Sequence, residues 1–356
     1  MKIFTFNAAE DTRVEILWSL RAKNRDKIFS KFIADNHYTE VDLIQDCDLA
    51  IYPNKAFTPE TLAFNSSVFQ AATEAQMHQK PLIIDATSDS DVLLDIPSAY
   101  ILRCGLYRSL KKSFETECPY WSNYRTKKGL DSLNIAPKGK KPVVGFCGTT
   151  SSMGRLANLS KQITPQAIAK SVLAQGKIAR RIDPRLIEGM SLQLREKALK
   201  ILSGDQRIKT SFDVTNNHQS YYVNNEANKI ALENLFIANT SRSDYIMCVR
   251  GSGNYSGRFY MALNAGRIPV VIDTDGVIPN EEQFEIVKLP LNSLDKIGDI
   301  ILEHFETTTE QELKDMKLRN REAYHQFLSP EKFLPKFIEN CAKVSHNVAL
   351  KIGLTT

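Results

Sequence analysis

Nowhere in its 356 residues does this chain hold an apolar run long enough to cross a bilayer, and it opens with neither a basic leader nor a hydrophobic signal segment. These absences predict a cytoplasmic protein, and they make the glycosylation sequons at Asn65, Asn158, Asn239 and Asn254 chance matches. The six cysteines (Cys47, Cys104, Cys118, Cys147, Cys248 and Cys341) lack metal-ligand spacing, which argues against a zinc module and predicts reduced, buried thiols. The six histidines share no ligand spacing either, and His218 in the polar run 216–222 reads as a loop residue. No internal repeat and no low-complexity tract is present. Excess charge is scarce as well: 46 Lys and Arg against 41 Asp and Glu leave a net +5, with a pI of about 8.7. That surplus is too small to argue for nucleic acid, yet it suits a small phosphorylated partner or peripheral contact with an anionic membrane surface. The P-loop sequence and the dinucleotide fingerprint are both missing, which argues against NAD(P)-dependent enzymes.

What the chain does contain is alternation. Apolar, β-prone segments at 2–6, 49–52, 82–84 and 99–102 are interleaved with helical patterns at about 14–35 and 60–79, as in a parallel sheet. Composition turns to Pro, Gly and Lys over 131–142, and a second series follows: strand 143–147, a helix from the Asp183-Pro184 cap pair to about 203, strand 207–212 and helix 226–239. Helices are also predicted over 294–305, 310–327 and 333–348. The expected architecture is α/β, with two Rossmann-like domains facing each other across a cleft. Their bounds are 1–130 and 143–325, joined by a linker at 131–142, with a C-terminal helix in 326–356 returning toward the first domain.

The densest signal is the stretch Tyr245 to Gly276, YIMCVRGSGNYSGRFYMALNAGRIPVVIDTDG. It reads as a strand (245–249), a glycine loop (250–257), a short helix (257–264), a left-handed stop at Gly266 and a second strand (268–272). Ser256 is the predicted N-cap. The start of such a helix carries N–H groups without intrahelical partners and the positive end of the dipole, so phosphate is its natural guest. Arg258 in the first turn and Arg250 after the preceding strand can both reach that anion. Two guanidinium groups, with the amides of Gly251, Ser252, Gly253, Asn254, Ser256 and Gly257, suit a diphosphate. The alternative is a glycine-rich turn in an ordinary α/β domain with surface arginines. Following the strand 143–147, the turn that starts at Gly148 and Thr149 is a second glycine and hydroxyl turn that can face the same ligand.

Over this stretch the chain resembles the bacterial-type branch of the exostosin-like glycosyltransferase family. The shared positions are Arg250, Gly251, Ser256, Arg258, Gly266, Ile268, Pro269, Val270 and Asp273. Ser243-Asp244-Tyr245, Asp273-Thr274-Asp275, the strand Val144 to Gly148 and, more loosely, Arg103 to Ser109 extend the match, which is strong over about 140–285 and thin before it. The resemblance implies a GT-B fold and an inverting, metal-independent hexosyl- or pentosyltransferase of polysaccharide biosynthesis, with no cofactor. Its partners would be a UDP- or GDP-linked sugar donor in the second domain and a glycan acceptor against the first. One departure stands out: Met261 occupies the position of the family's Glu in Arg-x-x-Glu, expected to bond the donor ribose. A thioether cannot replace a carboxylate acceptor. Either another residue binds the ribose, or the donor is held less tightly, or the chain is a catalytically inactive nucleotide-sugar-binding or scaffold subunit.

Inverting transfer needs a base for the acceptor hydroxyl. Asp85, directly after the strand 82–84, is the candidate, with Asp89, Glu10 and Asp11 as rivals and a loop or N-cap carboxylate as the alternative. The Asp-x-Asp triplets at 46–48, 89–91 and 273–275 invite metal ligation, but about one is expected by chance in such a chain, and no metal is predicted. The segment 107–128 mixes Tyr107, Tyr120, Trp121 and Tyr124 with Arg108, Lys111, Lys112, Arg125, Lys127 and Lys128. Tyr107, Arg108 and Trp121 are the candidate acceptor contacts; the alternative is an amphipathic helix and loop that covers the cleft edge or docks on anionic lipid.

Overall fold

The computed structural model describes residues 1–6, 35, 37–53, 56, 66–89, 96, 99–150, 185–215, 225–251 and 253–352, without the side chains of 185–190 and 344–352. The chain divides into two compact units, one of 1–106, 110–118 and 330–356, the other of 107–109 and 119–329. Each is built on a parallel sheet, as the alternation predicts.

In the first unit the strands are β1 (Lys2–Thr5), β2 (Thr39–Glu40), β3 (Leu49–Tyr52), β4 (Leu82–Asp85), β5 (Ala99–Arg103) and β6 (Glu115–Glu117), in the order β2-β1-β3-β4-β5-β6. Every residue of β3 and β4 is buried, which is why LAIY and the LII that precedes Asp85 read as unbroken apolar runs rather than as alternation. Helix α1 (Ser66–Met77) buries Val68, Ala71 and Ala75, at helical spacing, against this core. The helix expected at 14–35 and the start of the one at 60–79 lie outside the described residues. Sequence reading missed β6, because Glu-Thr-Glu carries no strand signal. Its two glutamates are buried through polar partners: Glu115 faces Arg103, and Glu117 accepts from the N–H groups of Gly105 and Leu106.

The second unit begins with α2 (Tyr124–Asp131), whose N-cap Asn123 accepts from the N–H of Thr126. Then follow β7 (Val143–Thr149), α3 (Arg185–Gly204), β8 (Lys209–Thr215), α4 (Glu226–Ser241), β9 (Tyr245–Cys248), α5 (Gly257–Asn264), β10 (Ile268–Ile272) and β11 (Val287–Leu289). Two further helices, α6 (Ile297–Thr307) and α7 (Glu310–Ala323), and a π-helical turn, Tyr324–Leu328, complete it. The strand order is β11-β10-β9-β7-β8. On one sheet face Tyr245, Met247 and Val249 join Leu194, Ala198 and Leu202 of α3 with Ile297, Ile301 and Phe305 of α6. On the other, Ile246 and Cys248 pack on Phe259, Tyr260 and Leu263 of α5. Each such burial contributes about 1.5–3 kcal/mol, so α5 is fixed under the sheet by its own apolar face.

The first unit gives way to the second at Cys118, earlier than the expected bound at 130, and 131–142 lies within the second unit. The reason is α2. Asn123 and Arg125 bond Glu233 of α4, and Leu130 packs with Phe236 and Ala265, so the helix is tied to the second core. The last helix, α8 (Pro330–Ile352), groups with the first unit. Among the described residues, no helix is long and apolar enough to cross a membrane.

Candidate anion-binding site

Counted along the chain, the second sheet has the doubly wound order 2-1-3-4-5, in which the connections leave opposite ways between the first and third strands. Those strands are β7 and β9. Ligands of such sheets bind at the carboxyl ends of that pair; the glycine loop of the sequence follows β9 there, while Gly148 and Thr149, expected to open a turn, are the last residues of β7 and pair with Val214 and Thr215 of β8.

The turn after β9 leads into α5 as expected, over the predicted residues and with Ser256 as N-cap. Gly266 closes α5 at φ +62°, with Gly266 N–H on Leu263 O and Arg267 N–H on Ala262 O. Arg267, buried, clamps that end by donating to the carbonyls of Ala265 and Gly266, and burial lowers it to about 10. At the other end Ser256 makes no side-chain capping bond. Its Oγ is buried without a hydrogen-bond partner among the described residues, although only 9% of the residue is exposed. A cavity of about 50 Å³ adjoins it, lined also by Arg250, Asn254, Phe259, Thr274 and Lys288. That is room for a few water-sized groups.

Three arginines meet at this edge. Arg258 donates from Nε to Cys147 O at 2.7 Å, and its Cζ lies 4.6 Å from the Phe146 ring centroid. Among the described residues no carboxylate pairs with it, so its charge is held by a carbonyl and a ring face alone. Gly148 makes room for this guanidinium: a Cβ there would fall 1.7 Å from Nη2, at φ +149°. Arg250 donates to the Tyr107 hydroxyl and to Asn254 Oδ1, both at 2.8 Å. Asn254 in turn donates to Thr274 O and accepts from its hydroxyl, which fixes the loop to the end of β10. Arg195 of α3, missed in the sequence, donates to Thr149 O at 2.6 Å and to Arg250 O at 3.0 Å and approaches the same Phe146 ring. Its signal was a charge four and seven residues before Leu199 and Leu202, on the buried face of the helix.

A Cβ on Gly251 would meet only Arg195 Nη2, at 3.8 Å, while Gly257 is bare because the Tyr120 ring lies on it. Ser252 lies outside the described residues, and Gly253 is buried. Thr149 is buried, its hydroxyl 3.2 Å from that of Thr215. Met261 packs against Leu130, Cys147, Phe236 and Ala265, an apolar setting that explains the thioether. Burial also holds the neighbouring Cys147 thiol up at about 11, against the pull of Arg258. All six cysteines are buried, and none forms a disulfide.

Of the candidate acceptor contacts Tyr107 and Trp121 are buried, and Arg108 is an exposed side chain held by an ion pair. Tyr107 is 1% exposed, supports Arg250 and pairs with Gly276 across an antiparallel bridge. Arg108 grips both carboxylate oxygens of Asp273 at 2.8 Å and the carbonyl of Gly276 at 3.0 Å. Trp121 is 3% exposed, with Nε1 donating to Leu328 O. Of the basic residues nearby, Arg125 pairs with Glu226 and Glu233, and Lys127 with Asp131. Asp85, at the end of β4, is 1% exposed and accepts from the N–H and hydroxyl of Thr87, the loop-carboxylate arrangement. Asp89 is exposed; Glu10 and Asp11 lie outside the described residues. Among the described residues, no group of three or more His, Cys, Asp or Glu is placed to share a metal ion.

No family model matches the chain, and no curated protein matches it. Among solved structures it is similar to Anabaena Alr3699/HepE in complex with UDP and glucose, at 10% identity over 99% of each chain and a TM-score of 0.33. It is similar to a glycosyltransferase from Rickettsia africae ESF-5 at 10% identity, covering 96% of this chain and 98% of that one, with a TM-score of 0.39. WaaG, a glycosyltransferase involved in lipopolysaccharide biosynthesis, gives 9% identity, 97% and 99% coverage and a TM-score of 0.30. These are loose likenesses.

Proposed function

We propose that this chain is a glycosyltransferase of the GT-B class, akin to the exostosin-like enzymes, that moves a sugar from a nucleoside diphosphate to a glycan acceptor with inversion and without a metal. One observation carries the reading: at the β7/β9 switch point, the start of α5 combines an unpartnered, buried Ser256 hydroxyl with the guanidinium of Arg258. Glycosyl transfer builds negative charge on the departing diphosphate. The N–H groups at the start of α5, the Ser256 hydroxyl and Arg258 are donors already fixed in place, so they stabilise that charge without reorganising. Each charge-assisted bond of this kind contributes about 1.5–3 kcal/mol. UDP- or GDP-linked sugars fit the proposal, since either presents a diphosphate to these donors.

The test is nucleoside diphosphate release from a panel of UDP- and GDP-sugars with a glycan acceptor, with and without EDTA. Release that survives EDTA and is lost in Arg258→Ala is the expected result. Release restored only by manganese overturns the metal-free part, and absence of both release and nucleotide binding overturns the whole. A second reading, a silent nucleotide-sugar-binding subunit, is favoured by the apolar packing of Met261. Nucleotide binding without turnover for any donor and acceptor selects it.

A further inference from the structure

The packing of Met261 raises the question of what holds the nucleoside end of a ligand whose phosphates sit at the start of α5. Residues 257 and 261 are one turn apart and share a helix face, and Tyr120 lies at the top of that face. Its ring atoms Cδ1, Cγ and Cε1 are 2.9, 3.1 and 3.1 Å from the place of a Cβ on Gly257, so the ring rests broadside on the bare first residue of α5, between Ser256 and Arg258 in sequence. Tyr120 is 38% exposed, while Glu117, Cys118, Pro119, Trp121 and Ser122 around it are all buried. The indole bond of Trp121 to Leu328 O pins the backbone beside it. A half-exposed aromatic ring on a rigid, buried segment, against an anion-binding helix start, is a built surface and not a loose side chain.

We infer that Tyr120 is the stacking platform for the nucleoside end of the donor, and that its ring does the work the missing carboxylate at position 261 does not. Every nucleobase has a π-face, so such a platform favours a nucleoside diphosphate over a free phosphate without selecting the base. The inference rests on the donor-site reading above, and the experiment separates the two.

Calorimetry with UDP, GDP and inorganic pyrophosphate is run on the wild-type chain and on Tyr120→Phe, Tyr120→Leu and Arg258→Ala, each checked for its thermal transition. Leucine keeps apolar bulk over Gly257 but loses the aromatic face. Tyr120→Leu is expected to weaken UDP and GDP by about tenfold or more and to leave pyrophosphate unchanged, with Tyr120→Phe within about threefold of wild type. Arg258→Ala is expected to weaken all three. If Tyr120→Leu binds nucleotides like the wild type while Arg258→Ala does not, the platform is refuted and the donor site stands. Equal losses of nucleotide and pyrophosphate in Tyr120→Leu refute it too, because the ring then acts only by shaping the start of α5. If the wild-type chain binds none of the three, the donor site itself fails.

Discussion

Gly148→Ala tests whether the position of Arg258 matters, without touching the arginine. The added Cβ would lie 1.7 Å from Arg258 Nη2, 2.8 Å from Cζ and 3.2 Å from Nε, at a backbone φ of +149° that side chains rarely adopt. The guanidinium must leave. It then gives up its bond to Cys147 O and the face of Phe146, contacts of about 1.5–3 and 0.5–2 kcal/mol respectively, some of which it recovers in solvent. A ligand phosphate loses one charge-assisted partner, about 1.5–3 kcal/mol, so UDP and pyrophosphate affinity should fall roughly tenfold to a hundredfold. The assay is calorimetric titration of wild type, Gly148→Ala, Arg258→Ala and the double variant. Since the methyl group acts through the arginine, the double variant should bind no worse than Arg258→Ala, giving a coupling close to the whole single loss. In the Arg258→Ala background the methyl also has space, so its cost to thermal stability should shrink to the backbone strain, about 1–3 kcal/mol. Wild-type affinity in Gly148→Ala, or losses that simply add, would refute the reasoning.

Ser256→Ala should leave the thermal transition unchanged, because the hydroxyl makes no capping bond to lose, yet weaken pyrophosphate by about threefold to tenfold; a melting temperature lowered as for an ordinary lost cap, with binding intact, contradicts this. Met261→Glu should destabilise the second unit by about 1–3 kcal/mol in urea, since the carboxylate enters the cluster of Leu130, Cys147 and Phe236; an unchanged midpoint with tighter UDP binding would mean that the side chain swings to the ligand. Burial pushes Glu117 up to about 8 from its ordinary 4.5, against the pull of the Gly105 and Leu106 N–H groups and Arg103. The folded chain thus holds that proton more tightly than the unfolded one, so the contribution is full below about pH 4.5 and is lost as pH rises through about 8. Stability of the first unit should decline across that window by an amount on the order of a few kcal/mol, and Glu117→Gln should flatten the decline; equal midpoints in urea melts of the wild type at pH 5 and pH 8 would count against it.

The sequence by itself determined the two parallel sheets and the strand–loop–helix–strand unit around Ser256. Apolar runs as short as LAIY and LII, bounded by polar residues and turn signals, suit strands buried on both faces, and the cap, the arginine and the stop at Gly266 lie within one short stretch of chain whose local rules suffice. Even the departure at Met261 was visible there, though not its cause. Tertiary structure alone decided which side chains the site can use. Tyr107 reaches Arg250 across 143 residues and Trp121 reaches Leu328 across 207, so both are spent on support, while Tyr120 between them in sequence stays half exposed. Gly148 is a glycine because of Arg258, far along the chain, and Arg195 joins the site from a helix whose pattern spoke only of burial. Periodicity reports which face of an element is apolar; which partner a polar group meets on that face is set by the packing of elements distant in sequence.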